Sequence, residues 1–307
     1  MKLGCHVSAL KNPRQAPYEE AVENAGRLGF KGVELIAMTR SELDDYYTPE
    51  RIRALRALAD NHKLTISQFA VYSTACEGMA SLDPHERDEG IEVFLKGIKV
   101  CRDLGSELVN LVAHWPIGLQ APIDYPPSYI YPIVRGVTTI ASPKVIMQLP
   151  EPFDFDAIWR NYVDSLITAA RMAEEHGVRL ALEGHAHVIV SGTDAMLRLF
   201  DEAQSSNIVV NFDTSWHFIQ REYLPMSIHK LGGKIAHVHC RDSDGLLFYG
   251  LPPGQGVVDW HGVIRALADT GFDGFLSFEF SGYHDNLKIA SDSKEYMERV
   301  MQEALSG

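Results

Sequence analysis

The chain is short of cations. Lysine and arginine number 28 against 41 aspartates and glutamates in 307 residues, a formal net charge of −13. A nucleic-acid backbone asks for clustered Lys and Arg, so nucleic acid is not an expected partner. Long apolar runs are lacking too: no stretch of 18 apolar residues exists, so no membrane-spanning helix is expected. Only four cysteines occur (Cys5, Cys76, Cys101, Cys240), and none forms a CxxC pair. That excludes a disulfide framework and a zinc knuckle as readings. The start runs straight into Lys2-Leu3-Gly4-Cys5-His6-Val7 without a charged leader or a small-residue cleavage site, which makes the cytoplasm the expected location. Two phosphate fingerprints are also missing: no GxGxxG follows the first apolar run, and there is no Walker loop.

What is present is alternation. Strand-like apolar runs are predicted at 3–8, 33–36, 64–72, 108–113, 178–183, 208–213, 234–239 and 275–279, with helix-like stretches between them. Thr48-Pro49 and Asp83-Pro84 read as helix caps with proline in the first turn, and Gly29, Gly105 and Gly177 read as helix stops. Eight strand–helix units in a chain of this size predict an α/β fold, a single (β/α)8 TIM barrel, over an open doubly wound sheet. The rhythm breaks once, after strand four. Residues 115–153 hold eight of the fifteen prolines together with Trp115, Tyr125, Tyr129 and Tyr131. Such an insertion is too long for an ordinary connection and too aromatic for a disordered linker. It reads either as a surface excursion or oligomer contact, or as a lid, because long loops after barrel strands carry substrate contacts.

The last four strands carry the chemistry. Their even-numbered positions are apolar (Leu180, Leu182, Val210, Phe212, Val238, Phe278), while the odd-numbered ones end on Glu183, Asp213, His239 and Glu279. Side chains alternate across a strand, so these four can converge at the C-terminal rim, which is the active face of a barrel. Three carboxylates and an imidazole would repel and resist desolvation without a cation among them. The alternative is four buried acids and bases tied up by arginines or backbone donors. An oxygen-rich set with one nitrogen favours Mn²⁺, with Mg²⁺, Co²⁺ or Zn²⁺ as alternatives, over a thiolate-loving metal. His6 and His114 end strands one and four; His114, at the mouth of the long loop, is a candidate second base, and His6 a substrate contact. His185 faces the same way as Glu183, and Arg241 the same way as His239, two residues nearer the rim. The alternative for Arg241 is a rim salt bridge to Asp242 or Asp244. His237 lies one layer deeper and reads as a packed core histidine; Gln68 and Glu34 are inward candidates of lower weight.

Several of these runs also carry a resemblance. Ala236-His237-Val238-His239-Cys240-Arg241-Asp242 is similar to the HxHxKD signature of xylose-isomerase-like barrels, the sugar isomerase/epimerase superfamily. Pro253-Gly254-Gln255-Gly256-Val257-Val258-Asp259-Trp260 resembles the PGxGxxDW segment that follows it there. Leu182-Glu183, Phe212-Asp213-Thr214, Ser277-Phe278-Glu279 and the strand-two run ending at Glu34 match in order. The resemblance implies that Glu183, Asp213, His239 and Glu279 bind one divalent ion. It also implies that Glu183 and Glu279 exchange a proton with a keto-sugar from opposite faces. Arg241, on the strand face of His239, is expected to hold a substrate oxygen. One position departs: where the epimerases place a histidine three residues after the strand-six aspartate, this chain has Trp216, followed by His217. Trp115 and Trp216 are then expected to contact a sugar or aglycone face. Gly254 and Gly256 shape a turn, because no helix N-terminus directly after them offers free N–H groups to a phosphate.

Two enzyme readings follow from the resemblance. One is a metal-dependent isomerase or epimerase on a free keto-sugar. The other is a lyase on an oxo-sugar or 3-oxo-glycoside, like inosose dehydratases or the large subunits of C-glycoside deglycosidases, with a small partner subunit as a corollary. Homo-oligomerisation is expected in either case. A related abasic-site endonuclease is disfavoured by the acidic charge and by the missing extra histidines of a three-zinc site. A non-catalytic binding barrel is disfavoured by the intact ligand set.

Overall fold

A computed structural model describes residues 1–72, 75–112, 149, 151, 153–186, 188–245 and 249–306. His114, Trp115 and nearly all of the 115–153 insertion, including its proposed role as a lid, lie outside these residues. Eight parallel strands close into a barrel: β1 (Lys2–His6), β2 (Gly32–Ala37), β3 (Thr65–Val71), β4 (Leu108–Val112), β5 (Arg179–Glu183), β6 (Ile208–Asp213), β7 (Ile235–Cys240) and β8 (Phe275–Phe278). Each pairs with its sequence neighbours, and β1 closes the ring against β8.

Among the described residues the eight main helices are α1 (Glu19–Arg27), α2 (Pro49–Asn61), α3 (Pro84–Leu104), α4 (Phe155–Glu175), α5 (Thr193–Ala203), α6 (Leu224–Leu231), α7 (Trp260–Asp269) and α8 (Asn286–Leu305). Their starts are written in cap chemistry. Thr48 accepts from the backbone of Arg51, Asp83 from His85, Asp154 from Ala157 and Asp259 from Gly262, each satisfying a donor the first helical turn leaves open. Gly105 stops α3 in the left-handed conformation at φ 80°, where a side chain would be strained. None of the described helices is long and apolar enough to cross a membrane.

Toward the C-terminal ends of β5 to β8, pleating sends the even-numbered residues out against the helices. Leu180, Leu182, Val210, Phe212, Val238 and Phe278 have no exposed surface, and their burial supplies much of the drive for closing the barrel. The odd-numbered residues turn inward. Register then aligns them: Asp213 pairs with His239, and His239 with Ser277, two residues before Glu279.

Several features depart from the sequence-based expectation. The first strand stops at His6, two residues early, because the His6 ring accepts from the backbone of Ser8 and caps a helical turn, Val7–Leu10. The last helix starts at Asn286, six residues before the apolar stripe suggests, because Asp285 caps it through the Lys288 backbone. A π-helical turn (Glu42–Tyr46), a short helix (Thr214–Ile219) and an antiparallel pair (Asp242–Ser243 with Tyr249–Leu251) are each too short to show a period in sequence.

Candidate active site

Glu183, Asp213, His239 and Glu279 meet at the C-terminal rim of the barrel. One donor atom from each lies within 4.8 Å of the donor atoms of the other three, and all four residues are buried. Nδ1 of His239 is the common neighbour: it stands 3.1 Å from Glu279 Oε2, 3.4 Å from Glu183 Oε2 and 3.9 Å from Asp213 Oδ2. Separations near 3 Å are those of ligands sharing one ion at roughly 2.0–2.3 Å.

The surroundings hold each carboxylate in place. Oε2 of Glu183 accepts from the side-chain amides of Asn110 at 2.9 Å and Asn211 at 2.8 Å, and its Oε1 lies 2.9 Å from His185 Nε2. Oδ1 of Asp213 accepts from the backbone N–H groups of Ser215 and Trp216, leaving Oδ2 for Arg241 Nη1 at 3.1 Å. The same Nη1 donates to Glu279 Oε2 at 3.3 Å. Tyr72 donates to Glu279 Oε1 at 3.4 Å, and Arg14 approaches that oxygen to 3.8 Å from the loop after β1.

Charge is the governing fact of the site. Burial alone would raise all three carboxyls. Arg241 and His239 nevertheless hold Glu279 well below the usual carboxylate range, and His239 and His185 do the same for Glu183. Asp213 ends up raised: burial outweighs Arg241, and the charges of Glu183 and Glu279 add to it. His239 resists burial and stays well above an ordinary imidazole because Glu34, Glu183 and Glu279 surround it. The cluster therefore sets three carboxylates against one guanidinium, Arg241, and one imidazole, His239, a deficit of positive charge. A hard divalent cation suits that deficit and that donor set.

The other residues singled out in the sequence fall as follows. His185 packs its ring on Trp216 at 4.6 Å, and the Arg241 guanidinium lies 5.0 Å from the same indole. Trp216 is thus a buried wall behind Arg241 and His185, only 3% exposed. His6 is fully buried; its Nε2 faces Tyr72 at 3.5 Å and Glu34 at 3.9 Å. His217 turns away from the site: its Nδ1 lies 3.0 Å from Glu222, and its ring stacks on Phe212. Arg241 reaches the acidic cluster, while Asp242 turns the other way and accepts from the backbones of Ser243, Gly254 and Val258 and from the Trp260 indole. A Cβ on Gly256 would sit 2.2 Å from Asp242 Oδ1, so this segment is a tight turn fastened by one aspartate, as expected of a structural loop.

Asn110, Asn211, Tyr72 and Arg14 were not singled out as functional. Asn211 shares the odd-numbered inward frame with Asp213, a usable signal; Arg14 arrives from a loop that has no period to read.

Known proteins give this geometry a context. A family model described as the xylose isomerase-like TIM barrel matches residues 22–300. The D-psicose 3-epimerase of Ruminiclostridium cellulolyticum is 22% identical over 284 residues, covering 91% of this chain and 83% of that protein. The inosose dehydratase of Clostridium beijerinckii is also 22% identical over 284 residues, covering 87% and 83%. The apo structure of 3-keto-D-glucoside 4-epimerase from E. coli superposes with a TM-score of 0.73 at 17% identity, over 97% of this chain and 99% of that one.

Proposed function

The chain belongs to the xylose isomerase-like TIM-barrel family, and on that premise we propose that it is a divalent-metal-dependent isomerase or epimerase of keto-sugars. The observation that carries this reading is the four-residue donor set at the barrel rim. Glu183, Asp213, His239 and Glu279 would hold the ion, with Mn²⁺ the first choice. A bound cation supplies Lewis-acid polarisation of the substrate carbonyl and lowers the acidity barrier at the neighbouring carbon.

The protein's own groups account for the rest. Glu183 and Glu279 come from strands separated by β6 and β7, so they can address a carbon between them from different sides. One removes its proton as a general base, and the other returns one to the opposite face. Asn110, Asn211 and His185 fix Glu183 by hydrogen bonds, and fixed geometry shortens the search for a reactive pose. Arg241, buried beside Glu279, is placed to hold a substrate oxygen, and Trp216 keeps its guanidinium from swinging away. His114 and Trp115 remain candidates for contacts from the long loop.

A lyase reading stands second, favoured by the matched inosose dehydratase. It keeps the same proton abstraction and ends with loss of a β-substituent. Proton–deuterium exchange followed by NMR tests both. The metal-loaded protein and Glu279→Gln are incubated in D₂O with ketohexoses, inososes and 3-oxo-glucosides. Metal-dependent exchange next to a carbonyl, lost in the variant, is the expected result; an epimer or an eliminated product then separates the two readings. Metal binding without exchange on any of them would overturn the substrate class.

A further inference from the structure

Glu34 lies on β2, paired with His6 of β1, and has no exposed surface. Its Oε2 is 2.8 Å from His239 Nε2 and 3.4 Å from His237 Nε2, and its Oε1 faces His6 Nε2 at 3.9 Å. A buried carboxylate is stable only where donors surround it, and here the donors are imidazoles from β1 and β7. His6 already accepts the Ser8 backbone N–H at Nδ1, so its own proton resides on Nε2, the side of Glu34. The same logic applies to His239. A ring nitrogen 2.8 Å from a carboxylate carries a proton, so with a cation at the rim Nδ1 is the nitrogen that offers its lone pair, and Nδ1 is the atom facing Glu183, Asp213 and Glu279.

We infer that Glu34 is a positioning residue: it fixes the tautomer and orientation of His239 so that Nδ1 is presented to a divalent cation. This rests on the cation-dependent reading of the site. A carboxylate on the far side of a ligating imidazole both orients the ring and makes it a stronger donor. Glu34, His237 and His239 also offer donor atoms within 4.8 Å of one another. That trio as a second cation site is chemically weaker. It brings a single carboxylate into the barrel interior, and with the upper site filled it would require His239 to lose the protons of both nitrogens.

The test compares wild type, Glu34→Gln and Glu34→Leu, labelled with ¹⁵N-histidine and titrated with Zn²⁺ by calorimetry and by long-range ¹H–¹⁵N spectra. Expected are one ion per chain, a His239 signal with Nε2 protonated and Nδ1 shifted by the metal, and binding weakened about 10- to 100-fold in Glu34→Gln. The cation-free melting temperature of Glu34→Gln should fall as well, because the imidazoles around position 34 lose their charged partner. Equal affinities with a lower melting temperature would reduce Glu34 to packing and overturn the inference. Two ions in wild type with one lost in Glu34→Gln would make it a ligand instead. Where affinity and melting temperature both fall, an unchanged His239 Nε2–H signal overturns the inference and its loss supports it. Should Glu34→Leu fail to fold, the Gln variant decides. No ion bound by wild type would sink the cation-dependent reading itself.

Discussion

Asp213 accepts a 2.9 Å hydrogen bond from the backbone N–H of Trp216. The contact divides one carboxylate between two tasks: Oδ1 caps the short helix Thr214–Ile219, and Oδ2 faces Arg241 and His239. Position 216 thereby becomes part of the frame of the site, with its indole folded back under His185 and Arg241.

The two tasks can be separated by substitution. Asparagine is as good an N-cap as aspartate, so Asp213→Asn should keep the helix end and the cation-free melting temperature. Relief of repulsion with Glu183 and Glu279 should even raise it slightly. Cation affinity should fall at least about tenfold, since a formal charge leaves the donor set. Asp213→Ala should lose both, with about 1 kcal/mol of cap stability gone. Calorimetric titration alongside thermal unfolding reads both quantities. Unchanged affinity in Asp213→Asn would remove Asp213 from the ligand set.

The barrel itself was legible because period-2 and helical patterns alternate eight times, and because caps such as Thr48-Pro49 and Asp83-Pro84 are local. The rim acids were legible for the same reason, as Glu183, Asp213 and His239 occupy one parity of their strands. What escaped depends on contacts distant in sequence. Glu34 looks like any inward glutamate until β1 and β7 bring His6, His237 and His239 around it. Nothing local says that the His185 ring will stack on Trp216. Arg14 and Tyr72 reach Glu279 from the loop after β1 and the end of β3, respectively.

Arg241 bridges Asp213 and Glu279 through one nitrogen while its guanidinium packs near the Trp216 indole. Lysine keeps the charge but loses the planar fork and the stacking. Arg241→Lys should therefore leave cation binding within about twofold of wild type while lowering kcat/KM about tenfold, ~1.4 kcal/mol of transition-state stabilisation, on whichever panel substrate reacts. Steady-state kinetics at saturating metal is the measurement. An unchanged kcat/KM would assign Arg241 to charge balance alone.

Asp242 is the fastener of the loop that leads into α7. Removing its carboxylate leaves three backbone N–H groups and the Trp260 indole without their partner in a buried setting. Unsatisfied donors of this kind cost about 1–3 kcal/mol each, and partial hydration of the loop recovers some of that. The expected loss for Asp242→Ala is about 3–5 kcal/mol in urea unfolding. A loss below about 1 kcal/mol would mean that the turn is held by its glycines and the antiparallel pair instead.

Glu222 gives a pH signature remote from the rim. Burial would raise its carboxyl, but hydrogen bonds from His217, Ser227 and Thr193 hold it down at about 2, against an ordinary value of 4.5. A carboxyl depressed in the folded state adds stability that is fully present above its unfolded value and is lost as pH falls through the folded one. Wild type should therefore exceed Glu222→Gln in stability at pH 7, and the gap should close progressively between pH 4.5 and about 2. Taking the difference between the two proteins cancels the titration of every other acid. Urea unfolding at steps across that window reads it directly. A gap that stays constant down to pH 2 would show that neutral hydrogen bonding at position 222, and not its charge, ties the Thr214–Ile219 helix to α5 and α6.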